Sequence, residues 1–373
     1  MPEPANIAAT PAPLQPERPT PKDDMNDAAE IRDYETKIAQ GHHLDYRPLC
    51  TALSLVQDAV HGSFTKCDKE ALRYQKRYQN ISIAAVFFGA LTILVAILEF
   101  VIPGHAFRMT IAEGVIAAVT LLLIGIGLFG EFKEKWLTAR YKAENLRLLK
   151  FRNLTDSRLW CPPIDMNLLR EELQDEVHKI EAQNYDKVKE WASEGVRPRV
   201  CAPPCENICD LALQEFVDYY RVKRLHVQTN YLKRKSESSE EIGARTAMIV
   251  RWIFFASFAF VLTHVVLQLG APIPSATGSK PPDESALAMW LIGLAAGIPV
   301  IAAAVRTYRA SREFERNALR HRATLDSLEA LERELHTTED LNQKFRLLGF
   351  CELVLEMDCR EFMRLMREVE WYG

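Results

Sequence analysis

The chain has 373 residues, 26% of them charged, and a formal net charge of −4. That balance excludes a protein that holds nucleic acid through bulk positive charge. A mean hydropathy of −0.12 is a soluble-looking average, so any membrane-spanning character must be concentrated in segments.

Seven prolines lie in the first 21 residues, where they forbid a helix interior. Residues 1–28 are therefore predicted to be a disordered tail, and this polar start lacks the apolar core of a secretory signal peptide. Residues 29–80 carry Leu49, Leu53, Val56, Val60 and Phe64 at helical spacing. Gly62-Ser63 is expected to divide that stretch into two helices.

Four apolar runs follow, over 81–102, 111–130, 248–270 and 287–305. Each is long enough to cross a ~30 Å hydrocarbon layer as a helix rising ~1.5 Å per residue. A short loop joins the members of each pair, and a polar segment of more than a hundred residues separates the pairs. The pattern predicts an all-α membrane protein: four transmembrane helices as two hairpins, with long helical extensions forming a bundle. Lys69, Arg73, Lys76 and Arg77 precede the first pair, and Lys133, Lys135, Arg140, Lys142, Arg147 and Lys150 follow it. Lys233, Arg234, Lys235 and Arg245 precede the second pair, and Arg306, Arg309, Arg312, Arg316, Arg320 and Arg322 follow it, whereas the two short loops hold only Arg108 and Lys280. This bias places both termini and the bundle on the cytoplasmic side of a cell membrane. All eight cysteines then lie on the reducing side.

At Gly130-Glu131-Phe132 no stop signal is visible. The second span is expected to run on as one helix, with Phe132, Trp136, Ala139, Ala143 and Leu146 on one apolar face. Residues 29–160 thus form a first two-span unit, 161–205 a connector with one amphipathic helix over 166–192, and 206–373 a second unit. A long helix from about residue 206 enters the third span, and the fourth continues as an arginine-rich helix to about residue 335. In the last helix, 338–371, Leu341, Phe345, Leu348, Glu352, Leu355, Cys359, Phe362, Met366 and Val369 alternate four and three apart. That is a coiled-coil type of seam, broken by Glu352, which packs either on this bundle or on another copy.

The two halves repeat one order of parts: polar helix, span, short loop, span, basic extension. Arg77-Tyr78 ahead of the first span, Trp136, Arg140, Glu144 and Arg147 after the second, and Arg224, Gln228 and Tyr231 before the third carry a resemblance. On these residues the chain resembles the SLATT group, two-helix membrane modules associated with bacterial nucleotide-signalling and conflict systems. The resemblance covers about residues 67–153 and 215–335, as two tandem copies. It implies an oligomeric membrane effector, pore-forming or depolarising, whose partners are the lipid bilayer, further copies of itself and a separate nucleotide-sensing protein. A non-conducting scaffold or sensor that recruits a partner is the alternative.

Few residues invite chemistry. Gly125-Ile126-Gly127-Leu128-Phe129-Gly130 matches a dinucleotide-loop spacing, but it ends an apolar run instead of following a strand. Gly125 and Gly127 are therefore assigned to close helix packing, as are Gly293 and Gly297 in a G-x-x-x-G pattern. Pro299 is expected to free a backbone carbonyl in the fourth span. Glu99 and Glu113, near the tip of the first hairpin, are candidates for an acidic vestibule around an oligomer. His264, in the outer third of its span, is a further pore or vestibule candidate, read as a buried hydrogen-bonded imidazole before a proton relay. Arg251 is read as snorkelling to the interface. Cys201, Cys205 and Cys209 would suit Zn²⁺ if Cys161 or His178 supplied a fourth ligand. The prolines and helix start around them explain the segment without metal, so no metal, cofactor or catalytic residue is assigned. With no nucleophile elbow, zinc-protease helix or phosphate loop, an enzyme is not expected.

Overall fold

Leu49, Leu53, Val56, Val60 and Phe64 recur every three to four residues, and all five are buried. They belong to one helix that does not stop at Gly62-Ser63. In the computed structural model, which describes residues 23–156, 159, 165–195, 210–270 and 282–368, α2 runs unbroken over His43–Val101. Its 59 residues rise about 88 Å, so one rod carries both a bundle helix and the first span. A lone glycine costs only ~1 kcal/mol in a helix interior, less than the packing of that apolar stripe restores.

Every regular element among the described residues is helical. A short 3₁₀ turn, Asp23–Met25, leads into α1 (Ala28–Ala39) and then α2. Next come α3 (Ala106–Phe129), α4 (Phe132–Leu154), α5 (Met166–Glu181), α6 (Tyr185–Ser193) and α7 (Asp210–Tyr220). A π-helical stretch, Arg221–His226, joins α7 to α8 (Val227–Gly270), followed by α9 (Pro282–Arg312), α10 (Phe314–Thr337) and α11 (Leu341–Glu368). Four helical rods are long and apolar enough to cross a membrane. Among the span helices α3 packs on α2, α2 on α9 and α9 on α8, so the hairpins meet through α2 and α9.

Small residues set those seams. A Cβ added to Gly293 would lie 2.5 Å from Cγ2 of Val101, and one added to Gly297 would lie 3.2 Å from Cδ2 of Leu94. The hairpins are therefore closest toward their tips. At Gly125, assigned from sequence to close helix packing, no atom of another helix among the described residues lies within 4 Å of the Cβ position. The α2–α3 seam uses Gly89 instead, against Thr120. Within the second hairpin Pro299 lacks the N–H that would bond the Ala295 carbonyl. Ser257 Oγ donates to that freed oxygen at 3.2 Å.

The second and fourth spans do not run straight into the bundle. Glu131 and Glu313 adopt left-handed backbone, φ 52° and 48°, and split α3 from α4 and α9 from α10. Each is followed by phenylalanine, and each carbonyl accepts the N–H four residues on, from Lys135 and Asn317, at 2.9 Å. Non-glycine residues held there cost about 1–3 kcal/mol. The repeat is thus geometric: each hairpin has one continuous leg (α2, α8) and one jointed leg (α3, α9).

Two further expectations change. The connector helix is two helices, because the Asn184 side chain accepts from Lys187 N–H at 3.2 Å and starts α6 anew. Leu173, Val177 and Ile180 of α5 lie in the same core as Leu49, Phe216 and Phe345, so this segment is part of the bundle. The end of the proposed tail is also built in: Asp24 and Asp27 are fully buried. The seam of α11 is used within the chain, against α4, α6, α7 and α10.

Gly293→Leu should wedge α2 from α9 and lower stability by about 1–3 kcal/mol, the usual cost of overpacking. Thermal unfolding of the detergent-solubilised protein should register that loss, while Gly125→Leu, which adds bulk in open space, leaves the midpoint unchanged. Equal midpoints for both variants would remove the seam's role.

Candidate functional site

Arginine cannot shed its charge, so a buried guanidinium must be met by acids. Arg224, on the π-helical stretch, is 2% exposed. Its Nε and Nη2 donate to the two Glu352 oxygens at 2.9 and 3.0 Å, and its Nη1 donates to Asp24 at 3.1 Å. Tyr220 donates to Glu352 at 2.6 Å, and the guanidinium lies over the Phe151 ring. Glu352, the polar break in the α11 seam, is therefore the seam's anchor.

The network spreads from there. Arg147 on α4 pairs with Asp24 at 3.1 Å and with Glu144 at 2.7 Å. Arg140 pairs with the other Glu144 oxygen and, at 3.7 Å, with Asp68 of α2. Lys150 pairs with Asp27 at 2.7 Å and donates to the Asp24 carbonyl. Tyr219 donates to Asp27 at 2.8 Å. Burial, then the facing carboxylates, push both tyrosine phenols well up, so they stay donors at neutral pH. Burial alone would raise the Glu144 carboxyl, but Arg140 and Arg147 outweigh it and hold it down at about 2. One ionic hub thus ties the N-terminal turn, α2, α4, the α7–α8 rod and α11.

Beside the hub a cleft of about 1070 Å³ opens between the hairpins. Because Gly293 and Gly297 close α2 on α9 toward the tips, the two helices separate toward the bundle. The cleft follows α2 from Asp68 to Leu94, a rise of about 39 Å. Its span-depth wall includes Val86, Phe87, Leu91, Leu94, Ile301 and Val305. Its bundle end is polar, with Arg140, Lys235, Arg312, Arg320, His321 and Asp358. Arg320 bonds the Asp358 carboxylate and carbonyl, at 3.2 and 2.9 Å. Burial first, then Arg320 and Lys235, lower His321 to about 3, so this ring is neutral at physiological pH.

The sequence-derived residues fall into separate places. Glu99 accepts from Thr110 Oγ1 at 2.8 Å across the tip of the first hairpin, and Glu113 is half-buried one turn further along α3. Neither lines the cleft. Nδ1 of half-buried His264 has no partner among the described residues. Arg251 is exposed. Cys161, Cys201, Cys205 and Cys209 lie outside the described residues, among which no metal-holding group of His, Cys, Asp or Glu occurs. Cys50, Cys67, Cys351 and Cys359 are buried free thiols, and burial pushes each of them up. By contrast, of the residues chosen from the two sequence repeats, Tyr78, Trp136, Arg140, Glu144, Arg147, Arg224, Gln228 and Tyr231 line the cleft, and Arg77 does not. Sequence reasoning missed Asp24, Asp27 and Lys150. A signal did exist for Glu352, since an acid in an apolar seam needs a buried cation.

No family model matches the chain, and no curated protein or solved structure matches it either.

Glu352→Ala should leave Arg224 buried against Asp24 alone and cost about 3–5 kcal/mol, as for other broken buried pairs. Chemical denaturation in detergent should show the shift, and a change below ~1 kcal/mol would mean that water reaches Arg224. The histidine supplies a pH test. Its folded pKa lies below its unfolded value, so the unfolded chain binds the extra proton and stability falls as pH drops from ~6.5 toward 3. The melting temperature should fall between pH 7 and pH 5, and should fall less in His321→Gln. Glu144 acts only below ~4.5, so it does not confuse that window.

Proposed function

We propose that this chain is an oligomeric membrane effector that permeabilises or depolarises the membrane in response to a signal read by its bundle. The observation that carries the reading is the pair of left-handed glutamate joints, Glu131 and Glu313. Each hairpin is fixed to the ionic hub by one continuous helix and hung from a strained joint by the other. Strain at a joint is a recurring basis for hinged motion. The SLATT resemblance supports the same reading and suggests a separate nucleotide-sensing protein as trigger. The Lys/Arg bias supports an inner-membrane location with both termini and the bundle in the cytoplasm. Catalysis is no part of the proposal.

Because the spans pair along α3–α2–α9–α8, conduction requires several copies. Repeated around an axis, Glu99 and Glu113 at the hairpin tips form an acidic vestibule that concentrates cations. The confinement of span carboxylates to those tips favours the second reading, a non-conducting scaffold or sensor that recruits a cytoplasmic partner.

Reconstituted in liposomes, the protein is expected to pass ions as an oligomer, and Glu99→Gln with Glu113→Gln to lower cation-over-anion selectivity. A cysteine at Gly104, in a cysteine-free background, is expected to react with impermeant thiol reagent from outside intact cells. No current from correctly inserted protein, with its signalling partner present, would decide for the scaffold.

A further inference from the structure

The cleft between the hairpins has the two ends of an amphiphile. Its span-depth wall is aliphatic and aromatic, and Ile83, Phe87 and Ile301 at its margins are 43%, 60% and 43% exposed, so it is open to the surroundings of the spans. Its other end is cationic beyond what the protein itself neutralises. Lys235 and Arg312 have no carboxylate partner among the described residues; each lies over a tyrosine ring, Tyr231 and Tyr308. Arg320 is the stronger observation. Its side chain is 9% exposed, and its Nε is buried with no hydrogen-bond partner. A guanidinium N–H left without an acceptor costs free energy, and this one belongs to a residue of the cleft wall. Three cationic side chains, from α8, α9 and α10, thus line this end of the cleft; Asp358 pairs with Arg320 there, and Lys235 and Arg312 are left without a carboxylate among the described residues. Phosphate oxygens are the acceptors that guanidinium and ammonium groups fit best. A polar anion alone would leave the apolar half of the cleft empty.

We propose that this cleft binds an anionic phospholipid, its phosphate at Lys235, Arg312 and Arg320 and an acyl chain along Val86, Leu91, Leu94 and Ile301. The proposal rests on the four spans lying in a bilayer and not on conduction. A lipid seated there joins the two hairpins at the end where their own seam opens. Its presence would couple the composition of the bilayer to the spacing of α2 and α9.

The full chain, stripped of lipid in detergent, is titrated with phosphatidylglycerol or phosphatidylcholine and the bound lipid is counted by native mass spectrometry. Phosphatidylglycerol is expected to be retained in preference to phosphatidylcholine. Lys235→Gln with Arg312→Gln should weaken it roughly tenfold to thirtyfold. Leu91→Trp, which fills the apolar half, should also displace it, while millimolar inorganic phosphate should not compete. Equal retention of the two lipids by the unaltered protein overturns the proposal, and that comparison needs no variant to fold. Displacement by inorganic phosphate together with indifference to Leu91→Trp overturns it in favour of a site for a free phosphate. Loss of phosphatidylglycerol preference with ion flux retained, or the reverse, separates this proposal from the effector reading.

Discussion

A guanidinium held out of water dictates what surrounds it, and Arg224 does so for this chain. It has a bidentate acid in Glu352, a second acid in Asp24 and the face of Phe151. Those groups come from α11, from the turn ahead of α1 and from α4. No pair of these segments is adjacent in sequence, so neutralising one charge requires the bundle to assemble. The π-helical stretch over Arg221–His226 sits at this point. Such bulges accompany special side-chain placements, and this one lies where α7 and α8 would otherwise be one regular helix.

The hub also explains why the two hairpins behave as one unit. Arg140, Arg147 and Lys150 reach it from the extension of the first hairpin, and Arg224 with Gln228 from the entry to the second. Between them Asp24 acts as the shared acid, accepting from Arg224 and Gln228 and pairing with Arg147. At the opposite end Gly293 and Gly297 hold α2 against α9. A structure clamped at both ends and parted in the middle leaves a cleft by geometry, with one end in the spans and the other in the bundle.

Flexibility is confined to defined places. The continuous helices α2 and α8 transmit position from bundle to span. Glu131 and Glu313 interrupt the partner legs with backbone that a glutamate occupies only under constraint. In the first hairpin Gly130 is needed as well, because Phe132 folds back on it and leaves no room for a Cβ. The repeated Glu-Phe pair is weak as a sequence motif but strong as geometry, since both copies break the helix the same way.

The spans, the hairpin pairing and the helical class were legible in the sequence because they depend on local apolar runs and spacing. The seam of α11 and the apolar stripe of α2 were legible for the same reason, and Pro299 correctly signalled a free carbonyl. The joints were not legible, because glutamate carries no preference for left-handed backbone and only packing holds it there. Nor were the roles of Asp24 and Asp27, in a proline-rich region whose composition reads as disorder. Their partners lie 200 residues away for Arg224 and 192 for Tyr219, a distance no local pattern encodes. By itself the sequence determined where apolar surface must leave water. Only the tertiary structure decided which buried charges meet, because an ion pair is a property of two distant segments brought within about 3 Å.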